Sequence, residues 1–180
     1  MPDREKYPTF DEVSLHILDV AVNSIDADAT FISIKVDEDK HSISFTVSDN
    51  GRGMPPDILR NAPLPRFSTK KSAGLGLFIL RQAAEKSGGS FSILSTDKSA
   101  YPDHHGTVTS ASFRCGPPLG DLSATVVSLI AIDPAIDFLV TYNSTERRVS
   151  LDTRKARALL GDVPLDSPEV LRWVRDLFAL

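Results

Sequence analysis

Apolar and polar residues alternate with a period of two in two neighbouring stretches, with Ile32, Ile34 and Val36 on one face of the first and Ile43, Phe45 and Val47 on one face of the second. Ser42, Ser44, Thr46 and Ser48 interleave the second run, so each stretch offers one face to a core and the other to water. The polar break Glu38-Asp39-Lys40 between them predicts an antiparallel hairpin. Upstream, from Thr9 to Ala27, the period becomes that of a helix. Thr9 followed three residues later by Glu12 fits a capping box, which predicts a helix start and about five turns after it.

Between Pro55 and Ala73 the pattern dissolves into prolines, Lys70-Lys71 and serine, a loop long enough to imply a function. Helical spacing returns at Leu77, Leu80, Ala83 and Ala84 and stops at Gly88-Gly89. Strands are predicted around Ser90 to Ser95 and Thr107 to Arg114, with Asp103-His104-His105-Gly106 turning between them. Gly116-Pro117-Pro118 reads as a boundary. Past it come an apolar run from Thr125 to Ile132, a hairpin-like stretch from Asp137 to Asp152 and a short helix near Arg154 to Leu160. A last helix has Ser167 as N-cap, Pro168 at its first position, and Val170, Leu171, Val174, Leu177 and Phe178 along one face.

Composition narrows the class without naming it. An apolar fraction of 41% and a charged fraction of 24% in 180 residues are those of an ordinary globular chain able to bury a core. A formal charge of -4 and the lack of a long Lys/Arg run give nucleic acid no electrostatic foothold. The single Cys115 excludes an internal disulfide and is expected to be a small buried side chain. The run near Val126 to Ile132 is too short to span a bilayer and the polar N-terminus lacks a signal-peptide core, so a soluble cytoplasmic protein without membrane partners is expected.

Four stretches carry the chemistry. On the first helix Glu12, His16, Asp19, Asn23 and Asp26 recur every three or four residues and form one polar stripe on an otherwise apolar helix. A carboxylate and an amide one turn apart can set a water-activating base beside a ligand for a hard cation. Asp49-Asn50-Gly51-Arg52-Gly53-Met54 puts a carboxylate at a strand end, followed by glycines that let backbone approach a flat ring. Gly74-Leu75-Gly76-Leu77 presents bare amides at a helix N-terminus, which favours phosphate. Gly106-Thr107 opens the last strand of the set. Each alone has an ordinary reading, as a wet helix face or a turn; together they describe an ATP site. His104-His105 lacks acidic or thiol ligands at binding spacing and is expected to be an exposed turn.

These stretches resemble the GHKL ATPase superfamily, shared by DNA gyrase, heat-shock chaperone ATPases, sensor histidine kinases and mismatch-repair ATPases. DVAVNSIDADA is similar to the family's N box, DNGRGM to its first glycine box, FSTKKSAGLGL to its lid and second glycine box, and GTVTSASF to its final box. The resemblance covers residues 9 to 118, about two thirds of the chain. It implies an α+β fold, a two-layer α/β sandwich of the Bergerat type with a mixed, mainly antiparallel sheet and helices on one face. Residues 1 to 118 would form the ATP-binding domain and 119 to 180 a small α/β extension packed on it.

The resemblance further implies a residue-level site for ATP and Mg2+. Asn23 would be the magnesium ligand and Asp49 the acceptor for the adenine amino group. Gly51 and Gly53 would shape the adenine pocket, Met54 would flank it, and Thr107 would assist around Asp49. Lys70, Lys71 and the amides of Gly74, Leu75, Gly76 and Leu77 would contact phosphates, with Asp26 and Thr69 among the nucleotide-binding residues and the Pro55 to Ala73 segment as lid. Hydrolysing members usually carry Glu four residues before the Asn, as general base; here Asp19 stands there, shorter by one methylene, about 1.5 Å. Three functions remain open: an ATPase or ATP-driven switch meeting a protein partner or a second copy of itself, a protein serine kinase acting in trans, and a nucleotide-sensing module without turnover. Histidine autophosphorylation is not expected, because His16 lies inside the N-box helix.

Overall fold

A computed structural model describes residues 12–64 and 75–179. The expected hairpin forms from β1 (Phe31–Glu38) and β2 (Ser42–Asp49), paired antiparallel with Ile34 opposite Val47 and Val36 opposite Phe45. The Asp39 carboxylate accepts from the Ser42 and His41 amides and fixes the turn. β3 (Ser90–Thr96) and β4 (Gly106–Arg114) continue the sheet beside β2, while β5 (Asp137–Asn143) and β6 (Arg148–Asp152) extend it on the other side. The order is β3-β4-β2-β1-β5-β6, antiparallel throughout except where β5 runs parallel to β1.

Strand alternation sends Ile32, Ile34, Val36, Phe45, Val47, Phe113, Phe138 and Val140 into one continuous core, as period-two burial requires. On this face lie α1 (Val13–Asp26) and α3 (Gly76–Lys86). α4 (Leu122–Ile132) packs against α1, and α6 (Pro168–Phe178) packs in turn against α4. α5 (Thr153–Leu160) follows β6 directly, with Asp152 accepting from the Arg154 amide at its start. α4 buries Leu122, Val126, Leu129 and Ile130, and its Thr125 hydroxyl donates to the Ser14 carbonyl of α1. α6 buries Val170, Val174 and Phe178 and leaves Trp173 half exposed, so the final helix is packed back onto its own fold. No helix among the described residues is long and apolar enough to cross a membrane.

Several sequence expectations need correction. Glu12 has an extended backbone at the N-cap position of α1 instead of lying inside a capping box, and the described helix has 14 residues. Its first amides are satisfied from a distance: Val13 donates to Pro118 and Ser14 to Leu119. The segment after Pro55 contains a short helix, α2 (Pro56–Asn61), started by a proline at its first position. Ser167 does precede α6, but its hydroxyl makes no capping bond. Cys115 is exposed, at a positive φ of 49° just past β4, because the chain must turn out of the sheet there.

His16 departs from the polar stripe. It is 1% exposed and stacks on Phe113 at 5.9 Å between ring centroids, so it belongs to the core. Burial pushes its pKa down from 6.5 to about 4. Between those values the unfolded chain binds a proton that the folded one refuses, so stability rises with pH across the window and is lost as pH falls from about 6.5 toward 4. Urea unfolding at pH 5 is expected to give about 2 kcal/mol less stability than at pH 7 from this group, and His16→Phe is expected to remove most of the difference. An undiminished difference in His16→Phe would assign the effect elsewhere.

Candidate functional site

The end of β2, the end of α1 and the start of β4 converge on Asp49. Its Oδ1 accepts from the amides of Gly51, at 2.9 Å, and Thr107, at 3.2 Å, while Oδ2 accepts from the Ser24 hydroxyl at 2.7 Å. A carboxylate offers about four acceptor positions, so three protein donors fix this one and leave one position, on Oδ2, for an outside donor.

The turn after Asp49 is built to keep that geometry. Asn50 Oδ1 accepts from the Thr30 and Phe31 amides, both at 2.9 Å, tying the turn to the entry of β1. Arg52 reaches back to α1, pairing with Asp28 and donating to the Asp26 carbonyl. Gly53 sits at φ 65°, and a Cβ there would lie 1.9 Å from the Thr96 carbonyl oxygen. Gly106, at φ 135°, would drive a Cβ to 2.0 Å from the Asp49 carbonyl. Only glycine lets these strands close so tightly.

Three residues missed in the sequence hold this end together. The Ser24 hydroxyl has just been described. The Ser95 hydroxyl joins three segments: it accepts from the Met54 amide at 2.8 Å, lies 2.9 Å from the Thr107 hydroxyl and 3.0 Å from the Gly106 carbonyl. His105 is half-buried, with Nδ1 2.6 Å from the Gly51 carbonyl, so only His104 fits the expected exposed turn. Ser24, Ser95 and His105 carry no spacing signature; Ser24 follows Asn23 and His105 precedes Gly106, whereas nothing in the sequence marks Ser95. Thr107 reaches Asp49 through its amide, while its hydroxyl goes to Ser95.

The other end of the site lies along α1. Asn23 and Asp26 are exposed, and Asp19, one turn before Asn23, is half-buried. Burial pushes the Asp19 carboxyl above its ordinary value. α3 faces it: Leu75, at the N-cap position, makes no side-chain capping bond, and Gly76 is the first helical residue. Leu75, Gly76 and Leu77 are half-buried, and Leu77 packs against the core. Thr69, Lys70, Lys71 and Gly74 lie outside the described residues, as do residues 65–73 of the expected lid.

Among the described residues no group of three or more His, Cys, Asp or Glu side chains is placed to hold a metal. A single exposed amide oxygen at Asn23 suits a magnesium ion that keeps most of its shell as water and phosphate oxygens, so the donor set fits. A cavity of about 490 Å³ opens at this end of the sheet, lined by Asp49, Ser95 and Thr107 and also by the exposed Leu94 and Val108.

Comparison with known proteins places this geometry among relatives. A family model described as histidine kinase-, DNA gyrase B-, and HSP90-like ATPase matches residues 10–119. Sporulation kinase A of Bacillus subtilis (strain 168) is 36% identical over 69 residues, which make up 38% of this chain and 11% of that kinase. Among solved structures, the N-terminal domain of a DNA repair protein aligns with a TM-score of 0.54 at 17% identity, over 79% of this chain and 53% of that one. The Aquifex aeolicus MutL ATPase domain complexed with ADP aligns with a TM-score of 0.50 at 16% identity, over 80% of this chain and 64% of that one. The chain therefore spans about a tenth of the kinase and less than two thirds of each structural relative.

Proposed function

The chain belongs to the histidine kinase-, DNA gyrase B- and HSP90-like ATPase family, and on that premise we propose that it binds ATP with magnesium between α1, the start of α3 and the Asp49 turn. The observation that carries the reading is the Asp49 carboxylate, held by three protein donors with one acceptor position left over. An exocyclic amino group such as that of adenine supplies the donor this position needs, whereas a carbonyl in the same place would face a like-charged oxygen.

At the phosphate end Asn23 would hold the magnesium, whose charge would offset that of the phosphates. Asp19 lies one turn away and is proposed as the general base. Burial raises its pKa and so makes its carboxylate a stronger base, and one missing methylene sets it about 1.5 Å further back than Glu. Slow hydrolysis follows, since proton abstraction tolerates little misplacement. In this reading the chain is an ATPase or nucleotide-driven switch acting with a protein partner or a second copy of itself.

Asp19→Asn keeps the size of the side chain and removes the base. It is expected to cut magnesium-dependent phosphate release by at least about a hundredfold while ATP affinity changes less than about threefold. In the wild type the acid limb of the rate profile is expected above the ordinary carboxylate range. Unaltered release from Asp19→Asn would remove Asp19 from the chemistry. The stretch shared with a sporulation kinase favours a second reading, in which the γ-phosphate passes to a separate protein. Label appearing on such a protein instead of as free phosphate distinguishes it. Tight binding with neither outcome leaves a sensing module.

A further inference from the structure

The start of the phosphate-facing helix rests directly on the carboxylate of the N-box helix. A Cβ on Gly76 would lie 1.8 Å from Asp19 Oδ2, 2.7 Å from its Cγ and 3.0 Å from its Oδ1. All three carboxyl atoms therefore face the bare Cα of the first residue of α3. Contacts between such atoms are comfortable only near 3.5 Å or beyond, so any atom added on either side must move the helix or the carboxylate. Asp19 is half-buried here, and its carboxylate is the group that a Cβ at Gly76 would displace. Lengthening it by one methylene advances its oxygens about 1.5 Å toward Gly76. The departure from the family's usual Glu and the glycine at 76 are then two sides of one contact.

Resting on the ATP-site reading above, we propose that Asp19 and Gly76 are a size-matched pair that sets where the N-terminus of α3 meets the phosphates. Asp19 is thus a positioning residue for the second glycine box, separately from its role as base. The consequence runs against the family pattern: Glu at position 19 impairs the site of this chain.

The pair is tested in the full chain with Gly76→Ala, Asp19→Ala, the double variant and Asp19→Glu, measuring thermal midpoint without nucleotide and MgATP affinity by calorimetry. Gly76→Ala alone is expected to lower the midpoint by several degrees and weaken ATP binding at least about tenfold. In the Asp19→Ala background, where the facing carboxyl is gone, the same change is expected to cost less than about threefold in affinity, with most of the midpoint recovered. Asp19→Glu is expected to resemble Gly76→Ala. Equal damage from Gly76→Ala in both backgrounds, or wild-type behaviour of Asp19→Glu, overturns the pairing. If Gly76→Ala fails to fold, folding of the double variant supports the pair, and if neither folds, Asp19→Glu decides. Absence of ATP binding in the wild type would defeat the ATP-site reading while the midpoints still report on the contact.

Discussion

Replacing Asp49 by Asn is expected to lower ATP affinity roughly hundredfold while leaving the fold intact. The amide can keep its oxygen where Oδ1 stands, accepting from Gly51 and Thr107 as before. Its nitrogen then takes the place of Oδ2 and donates to Ser24, whose hydroxyl can turn to accept. Every internal bond survives in this arrangement. What changes is the remaining position: a lone pair that could receive an amino group becomes an N–H that repels it. Losing a hydrogen bond to a charged acceptor and leaving a donor unsatisfied costs about 2–3 kcal/mol, and each 1.4 kcal/mol is about a factor of ten. Calorimetry on folded Asp49→Asn checks this, and undiminished affinity would detach Asp49 from the nucleotide.

Gly53→Ala is expected to be the most damaging single methyl in the site. It forces a side chain into a left-handed conformation, at about 1–2 kcal/mol, and presses its Cβ to 1.9 Å from the Thr96 carbonyl, which must yield at about 1–3 kcal/mol more. The turn cannot give way without loosening the Met54 amide from Ser95 and thereby the Thr107 side of the Asp49 cradle. Urea unfolding should show a loss of roughly 2–5 kcal/mol, and ATP affinity should fall with it. Gly88 supplies the control: its φ is 76°, but a Cβ there meets nothing within 4 Å, so Gly88→Ala bears the conformational cost alone. Equal losses at the two positions would mean that close packing of the turn against Thr96 is unimportant.

The elements most legible in the sequence are those whose neighbours in space are neighbours in the chain. Ile32, Ile34 and Val36 alternate against Ile43, Phe45 and Val47 across a three-residue connection, so local periodicity carried both the strand type and the pairing. Asp49, Gly53 and Gly106 were legible for a related reason: a strand-end carboxylate and glycines at close approaches leave few alternatives in composition. The resemblance to a family then joined positions that periodicity alone could not connect.

Long-range partners were harder to see. The first amides of α1 are satisfied by Pro118 and Leu119, about a hundred residues away, so a local capping box was an attractive but wrong solution. His16 sits on the helical spacing of a polar stripe, yet Phe113 from β4 draws it into the core. α4 is covered by α1 and α6, which removes the polar face that would have marked the run from Thr125 to Ile132 as helix. The contact between Asp19 and Gly76 joins residues from two separated motifs, and only the packing of α1 against α3 reveals that the shorter carboxylate has a steric counterpart.

The most direct measurement is a calorimetric titration of MgATP into the wild-type chain. A saturable heat that fits one site per chain, and that disappears over the same concentration range in Asp49→Asn, is the expected result. A flat titration of well-folded wild-type protein up to millimolar ATP would contradict the assignment of the Asp49 cleft as a nucleotide site.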